Sequence, residues 1–144
     1  MIALDTNILV HAHRRDASLH SEAQSCVGQL AEAAAPWFLC FHSLVEFYGI
    51  VTHPKIWAVP SSPDQAANQI IVWRESPSLR ILTDLPEHIE NLMAVAHAGK
   101  VVGPMIHDAR IASCCLCHGV KDLWTVDRDF SRFPELRTRN PLMR

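Results

Sequence analysis

Runs of strand length and almost wholly apolar composition recur along the chain: IALD at 2–5, WFLC at 37–40, LRIL at 79–82 and LWTV at 123–126, with long helix-forming stretches between them. Strands buried on one face only alternate apolar and polar residues. These runs are near-continuous, the pattern of a parallel sheet covered by helices on both faces. The expected fold is therefore α/β, a three-layer α/β/α sandwich around a short-stranded, mainly parallel central sheet. Ligands of such sheets sit beyond the carboxyl ends of the strands, close to a switch in strand order. Asp5 and Asp127 both stand at that end of their runs.

Composition and stop signals give the helices. SEAQSCVGQLAEAAA reads as helical after the polar stretch HRRDASLH, with Ser21 as the expected N-cap. HSLVEFYGIVTH follows, with Ser43 expected to cap it and Glu46 in capping-box position. A helix over 64–75, then PEHIENLMAVAHAG and IHDARIASCCLCHG, complete the set. TRNPLMR is expected to add at most a short edge strand, because Pro141 limits pairing.

A length of 144 residues and 49% hydrophobic content suit one domain over 1–144 with one core. A formal charge of -2 argues against non-specific coating of nucleic acid, which needs a broad basic surface. A local basic patch is compatible with it: six of the 13 Lys and Arg residues fall in the last 24 positions, against four acids. No apolar stretch approaches the roughly 20 residues that span a bilayer. Met1 leads into the first apolar run without a basic, hydrophobic leader, so a cytoplasmic protein with no membrane partner is expected. Cys26, Cys40, Cys114, Cys115 and Cys117 read as reduced thiols, and CCLCH at 114–118 points around a helix instead of converging as zinc ligands do.

Acids stand in four places where apolar residues would be expected. Asp5 and Asp127 end strands, Glu46 lies among Leu44, Val45, Phe47, Ile50 and Val51, and Asp108 shares a helix face with Ile111, Ala112 and Cys115. Each has a local explanation as a turn, cap or dipole-complementing residue. One explanation covers all four: the carboxylates converge at the carboxyl end of the sheet and hold a divalent cation. Two carboxylates about 4 Å apart repel by roughly 4 kcal/mol at an effective dielectric of 20, so an ionised cluster of four needs a counter-charge. Hard oxygen donors select Mg²⁺ or Mn²⁺, whereas zinc favours nitrogen and sulfur. Such sites keep positions open for water and phosphate oxygens, which suits phosphodiester hydrolysis.

LDTN at 4–7, SLVEF around Glu46, HDARIA around Asp108 and TVDRDF at 125–130 together resemble PIN-domain ribonucleases. Their order, spacing and total length are similar to the VapC toxins of bacterial toxin–antitoxin pairs. The resemblance covers essentially the whole chain, including the closing FSRFPEL and NPL. It implies that Asp5, Glu46, Asp108 and Asp127 form a catalytic, metal-binding quartet, with Asp5 and Asp108 as direct ligands and Thr6 and Asn7 supporting Asp5. Asp129 either assists a second metal position or serves the turn, and the turn is the favoured reading. The resemblance further implies an endoribonuclease dependent on Mg²⁺ or Mn²⁺ and acting on structured RNA such as tRNA or rRNA. It also implies homodimerisation and neutralisation by a VapB-type antitoxin. The alternative is a housekeeping or degenerate PIN domain that binds RNA or a partner protein without cleaving.

Other classes fit less well. A haloacid-dehalogenase-like phosphatase would place a second Asp where Asn7 stands, and a receiver domain would pair the first acid with another and end its last strand with lysine. Candidate RNA-binding cations are Arg14 and Arg15 after the first strand, Arg110 beside Asp108, and Arg128 and Arg132 in the cationic tail. Trp57, with Ile56, is the expected exposed anchor.

Overall fold

The computed structural model describes residues 1–143; Arg144, counted with the cationic tail, lies outside them. Strands β1 (Ile2–Leu4), β2 (Trp37–Cys40), β3 (Leu79–Leu82), β4 (Asp122–Trp124) and β5 (Arg137–Arg139) form one sheet in the order β3-β2-β1-β4-β5. Every pairing is parallel, with Leu4 opposite Leu39 on one side and Trp124 on the other. Helices α1 (Thr6–His13), α2 (His20–Glu32), α3 (Phe41–Val51), α4 (Pro63–Arg74), α5 (Ile89–Ala98) and α6 (Ile106–Cys117) cover it, with short 3-10 turns at Pro86–His88, Gly103–Met105 and Arg128–Arg132. None of the helices is long and apolar enough to cross a membrane.

The sheet separates two apolar clusters, as strands buried on both faces require. Leu4, Trp37 and Leu39 pack with α1 to α4 through Ile8, Leu9, Phe47 and Trp73. Ala3, Phe38, Cys40 and Leu123 pack on the other side with Ile111, Ala112 and Cys115 of α6 and with Phe130 and Phe133. Cys40 Sγ lies 3.8 Å from Cys115 Sγ in this second layer, and all five cysteines are free thiols. β1 is the strand from which the chain first winds one way, to β2 and β3, and then the other, to β4 and β5. The crevice beyond β1 and β4 is therefore the switch point.

Three local expectations change. Residues 6–13, assigned to no element from the sequence, form α1 directly after β1, and α2 starts at His20 with Leu19, not Ser21, at its N-cap. α1 escapes detection because it is short and mostly apolar, with Ile8, Leu9, Val10 and Ala12 buried along with Thr6. α3 starts at Phe41 with Cys40 at its N-cap; Ser43 lies inside the first turn, buried, and its hydroxyl has no hydrogen-bond partner. Glu46 is thus not the acid of a capping box. Ser62 and Gln65 do form one, at the start of α4.

Candidate metal centre

Asp5 follows β1 and caps α1, its Oδ1 accepting from the backbone N–H of Thr6 at 2.7 Å. Its other oxygen accepts from the Thr125 hydroxyl, also at 2.7 Å. That hydroxyl in turn accepts from the Asn7 amide at 3.2 Å and from the Asp127 backbone N–H at 3.0 Å, so its donor and both acceptor sites are used. Thr6 Oγ1 donates to Glu46 Oε1 at 2.9 Å, bringing α3 to the same corner. Thr6, Asn7 and Thr125 therefore bind three acids, on two sides of β1, into one network.

The outer part of the corner has a different character. Asp108, in the first turn of α6, points a carboxylate oxygen to within 4.8 Å of oxygens of Asp127 and Asp129. The Asp129 backbone N–H donates to Asp127 Oδ1 at 2.8 Å, capping the short 3-10 turn. Asp127 caps this turn, Asp129 contributing only its backbone N–H, and the same turn delivers the Asp129 carboxylate to the cluster. Among the described residues this trio is the group of acids close enough to share one cation.

Electrostatics shows the cost of the assembly. Burial pushes Asp5 up to about 7, against the lowering effect of Thr125 and Thr6, with Asp108 and Glu46 adding to the rise. Asp108 is pushed up to about 6, first by burial and then by the charges of Asp127, Glu46 and Asp129, with His107 opposing. Asp5 and Glu46 lie outside the trio yet close enough for their charges to couple with Asp108. The donor set is wholly carboxylate oxygen, which fits Mg²⁺ or Mn²⁺ and not zinc.

Residues 2–136 match the PIN domain. The chain belongs to the PIN domain family. Among curated relatives, it is 30% identical over 142 residues to a VapC ribonuclease of Mycobacterium bovis, covering 99% of this chain and 96% of that one. It is 27% identical over 137 residues to Ribonuclease VapC48 of Mycobacterium tuberculosis, covering 95% and 94%. In fold it is similar to a chain of VapBC2 from Rickettsia felis, solved bound to a DNA fragment from their promoter, with TM-score 0.70, 19% identity and coverage of 96% and 98%. It is also similar to VapC20 of Mycobacterium tuberculosis, described as a sarcin-ricin loop cleaving toxin, with TM-score 0.69, 17% identity and coverage of 95% and 99%.

Within this PIN domain the candidate cations divide. Arg14 is buried, bonded to Asp16 at 2.6 Å and to Ser61 at 3.2 Å, and lies 4.2 Å over the Trp57 ring. It is a structural residue and not a free phosphate ligand, which corrects the sequence reading. Trp57 is correspondingly half-buried, its indole N–H donating to the Ile50 carbonyl, so it is not an exposed anchor. Arg110 is paired with Asp84, and Arg132 donates to the Gly99 carbonyl at 3.2 Å. Arg15 and Arg128 are exposed. Sequence reading missed Thr125; the available signal was a hydroxyl residue at the end of an apolar run, two positions before an acid.

Proposed function

We propose that this chain, as a single PIN domain over 1–144, is a metal-dependent endoribonuclease toxin of the VapC type. It hydrolyses phosphodiester bonds in structured RNA such as tRNA or rRNA, works in the cytoplasm as a homodimer, and is neutralised by a VapB-type antitoxin. The observation that carries this reading is the trio Asp108, Asp127 and Asp129 at the switch point, backed by Asp5 and Glu46. Relatives named as VapC ribonucleases over nearly the whole chain support it.

Asp108, Asp127 and Asp129 would hold Mg²⁺ or Mn²⁺, with Asp5 and Glu46 on the inner side. The cation would offset the carboxylate charge and supply Lewis-acid chemistry for attack on phosphorus. The chain's own part is orientation. Thr6 engages one oxygen of Glu46, and Thr125 and the start of α1 hold both oxygens of Asp5, so the inner carboxylates are fixed before substrate arrives. Exposed Arg15 and Arg128 are the cations left free to meet RNA phosphates.

Purified protein is expected to cleave RNA in Mg²⁺ or Mn²⁺ and to stop on chelation. Asp5→Asn and Asp108→Asn should each silence it while circular dichroism shows a folded chain. Cleavage that survives chelation and both substitutions overturns the metal mechanism; RNA binding without a metal-dependent product favours the non-cleaving alternative.

A further inference from the structure

His42, in the first turn of α3, stands between the acidic centre and the loop after β3. Its Nδ1 lies 3.1 Å from Arg110 Nη1, and its Nε2 lies 3.2 Å from His107 Nδ1 and 3.8 Å from Glu46 Oε1. A guanidinium has donors only, so Nδ1 of His42 must be the acceptor. An imidazole that accepts at Nδ1 is neutral and carries its proton on Nε2. That N–H points into the space shared by His107 and Glu46.

The ring cannot readily turn to another arrangement. The His42 and His107 rings stack, their planes 20° and centroids 5.1 Å apart, with His42 Nε2 3.2 Å from His107 Nδ1. Arg110 is anchored in turn, its Nε donating to Asp84 Oδ2. A line of contacts thus runs from Asp84 through Arg110 and His42 to Glu46 and to His107, the chain neighbour of Asp108.

We propose that Arg110 and His42 are positioning residues for the acidic centre: Arg110 fixes His42 as the Nε2–H tautomer, whose N–H donates to His107, the neighbour of Asp108, while the ring sits beside Glu46. Glu46 Oε1 accepts from the Thr6 hydroxyl and lies 3.8 Å from His42 Nε2, in ion-pair range but beyond hydrogen-bond reach. Arg110, a candidate phosphate ligand from its sequence position, works through His42 instead. The effect on catalysis rests on the nuclease reading above, whereas the tautomer itself does not.

The test begins on the metal-free, ¹⁵N-labelled protein, where long-range ¹H–¹⁵N spectra report the protonated ring nitrogen. His42 should show the Nε2–H pattern, and Arg110→Met should convert it to a mixture without loss of the circular dichroism spectrum. Calorimetry with Mn²⁺ should then show roughly a tenfold loss of affinity in His42→Leu, with most of it recovered in His42→Gln, whose amide can donate in place of Nε2. A charged or Nδ1–H His42, a spectrum unmoved by Arg110→Met, or His42→Leu binding Mn²⁺ as tightly as the parent overturns the proposal. Tautomer and Mn²⁺ results as expected, from a protein that cleaves no RNA, uphold the positioning role and remove only the nuclease reading.

Discussion

The inner and outer parts of the acidic centre are built by opposite means. Asp5 is buried and both its oxygens are met by neutral donors, from Thr6 and Thr125, which only partly offset the burial that raises it to about 7. Asp108, Asp127 and Asp129 face one another within 4.8 Å, and Arg110, two positions from Asp108, is paired with Asp84. The chain supplies the inner part with its hydrogen-bond donors. The outer part brings like charges together, which the proposed cation would offset.

The comparison can be broken most severely at Asp108. Asp108→Asn should cost at least about a hundredfold in Mg²⁺-dependent RNA cleavage, because it removes a ligand from the open side; near-normal rates would show that the trio is not the working site.

The next effect is on pH. Below 3.8 both Asp5 and Asp108 are protonated whether the chain is folded or not; as pH rises, the unfolded chain ionises them first, while the folded chain keeps its protons until about 7 and about 6. The folded state binds more protons in that window, so stability of the chelated protein should fall from about pH 4 to pH 7, by about 4 kcal/mol at most from Asp5. Urea melts at pH 5 and 7.5 measure it, and Mg²⁺ should restore the loss at the higher pH. A flat profile would mean that Asp5 is not isolated from water.

Thr125→Val should lower stability by about 2 kcal/mol, since it strips a donor from buried Asp5 and an acceptor from Asn7 and Asp127. Thr125→Ser should recover most of that in the same melts. Asp129→Asn is the mildest case. Relief of screened repulsion should stabilise the chelated protein by less than about 1 kcal/mol while weakening Mn²⁺ binding severalfold, with opposite signs for the two measurements.

The four acids stood out because charge in an apolar setting demands a reason, and of Asp5, Glu46, Asp108 and Asp127 the structure brings the last two together, with Asp129. The parallel sheet was legible for the related reason that its strands are buried on both faces. What escaped depends on contacts between distant residues. Arg14 looks like a loop cation until Trp57 and Ser61 close over it, and the contact between Arg110 and His42 spans 68 positions. Glu46 seemed to be a capping residue because Ser43 precedes it at capping-box spacing, and only the start of α3 at Phe41 shows that the spacing is incidental. Asp129 was underweighted because the turn explained it fully; turn and cluster turn out to be one geometry.

The bond from Thr125 to Asp5 spans 120 positions, and β1 pairs with β4 along its whole length. Thr125 therefore leaves the ribosome 120 residues after its partner Asp5. A half-made copy holds Asp5 and Glu46 but has neither Thr125 nor Asp127 to complete the corner. Non-local assembly of this kind is slow, and it ties the acidic corner to synthesis of β4 and the turn after it.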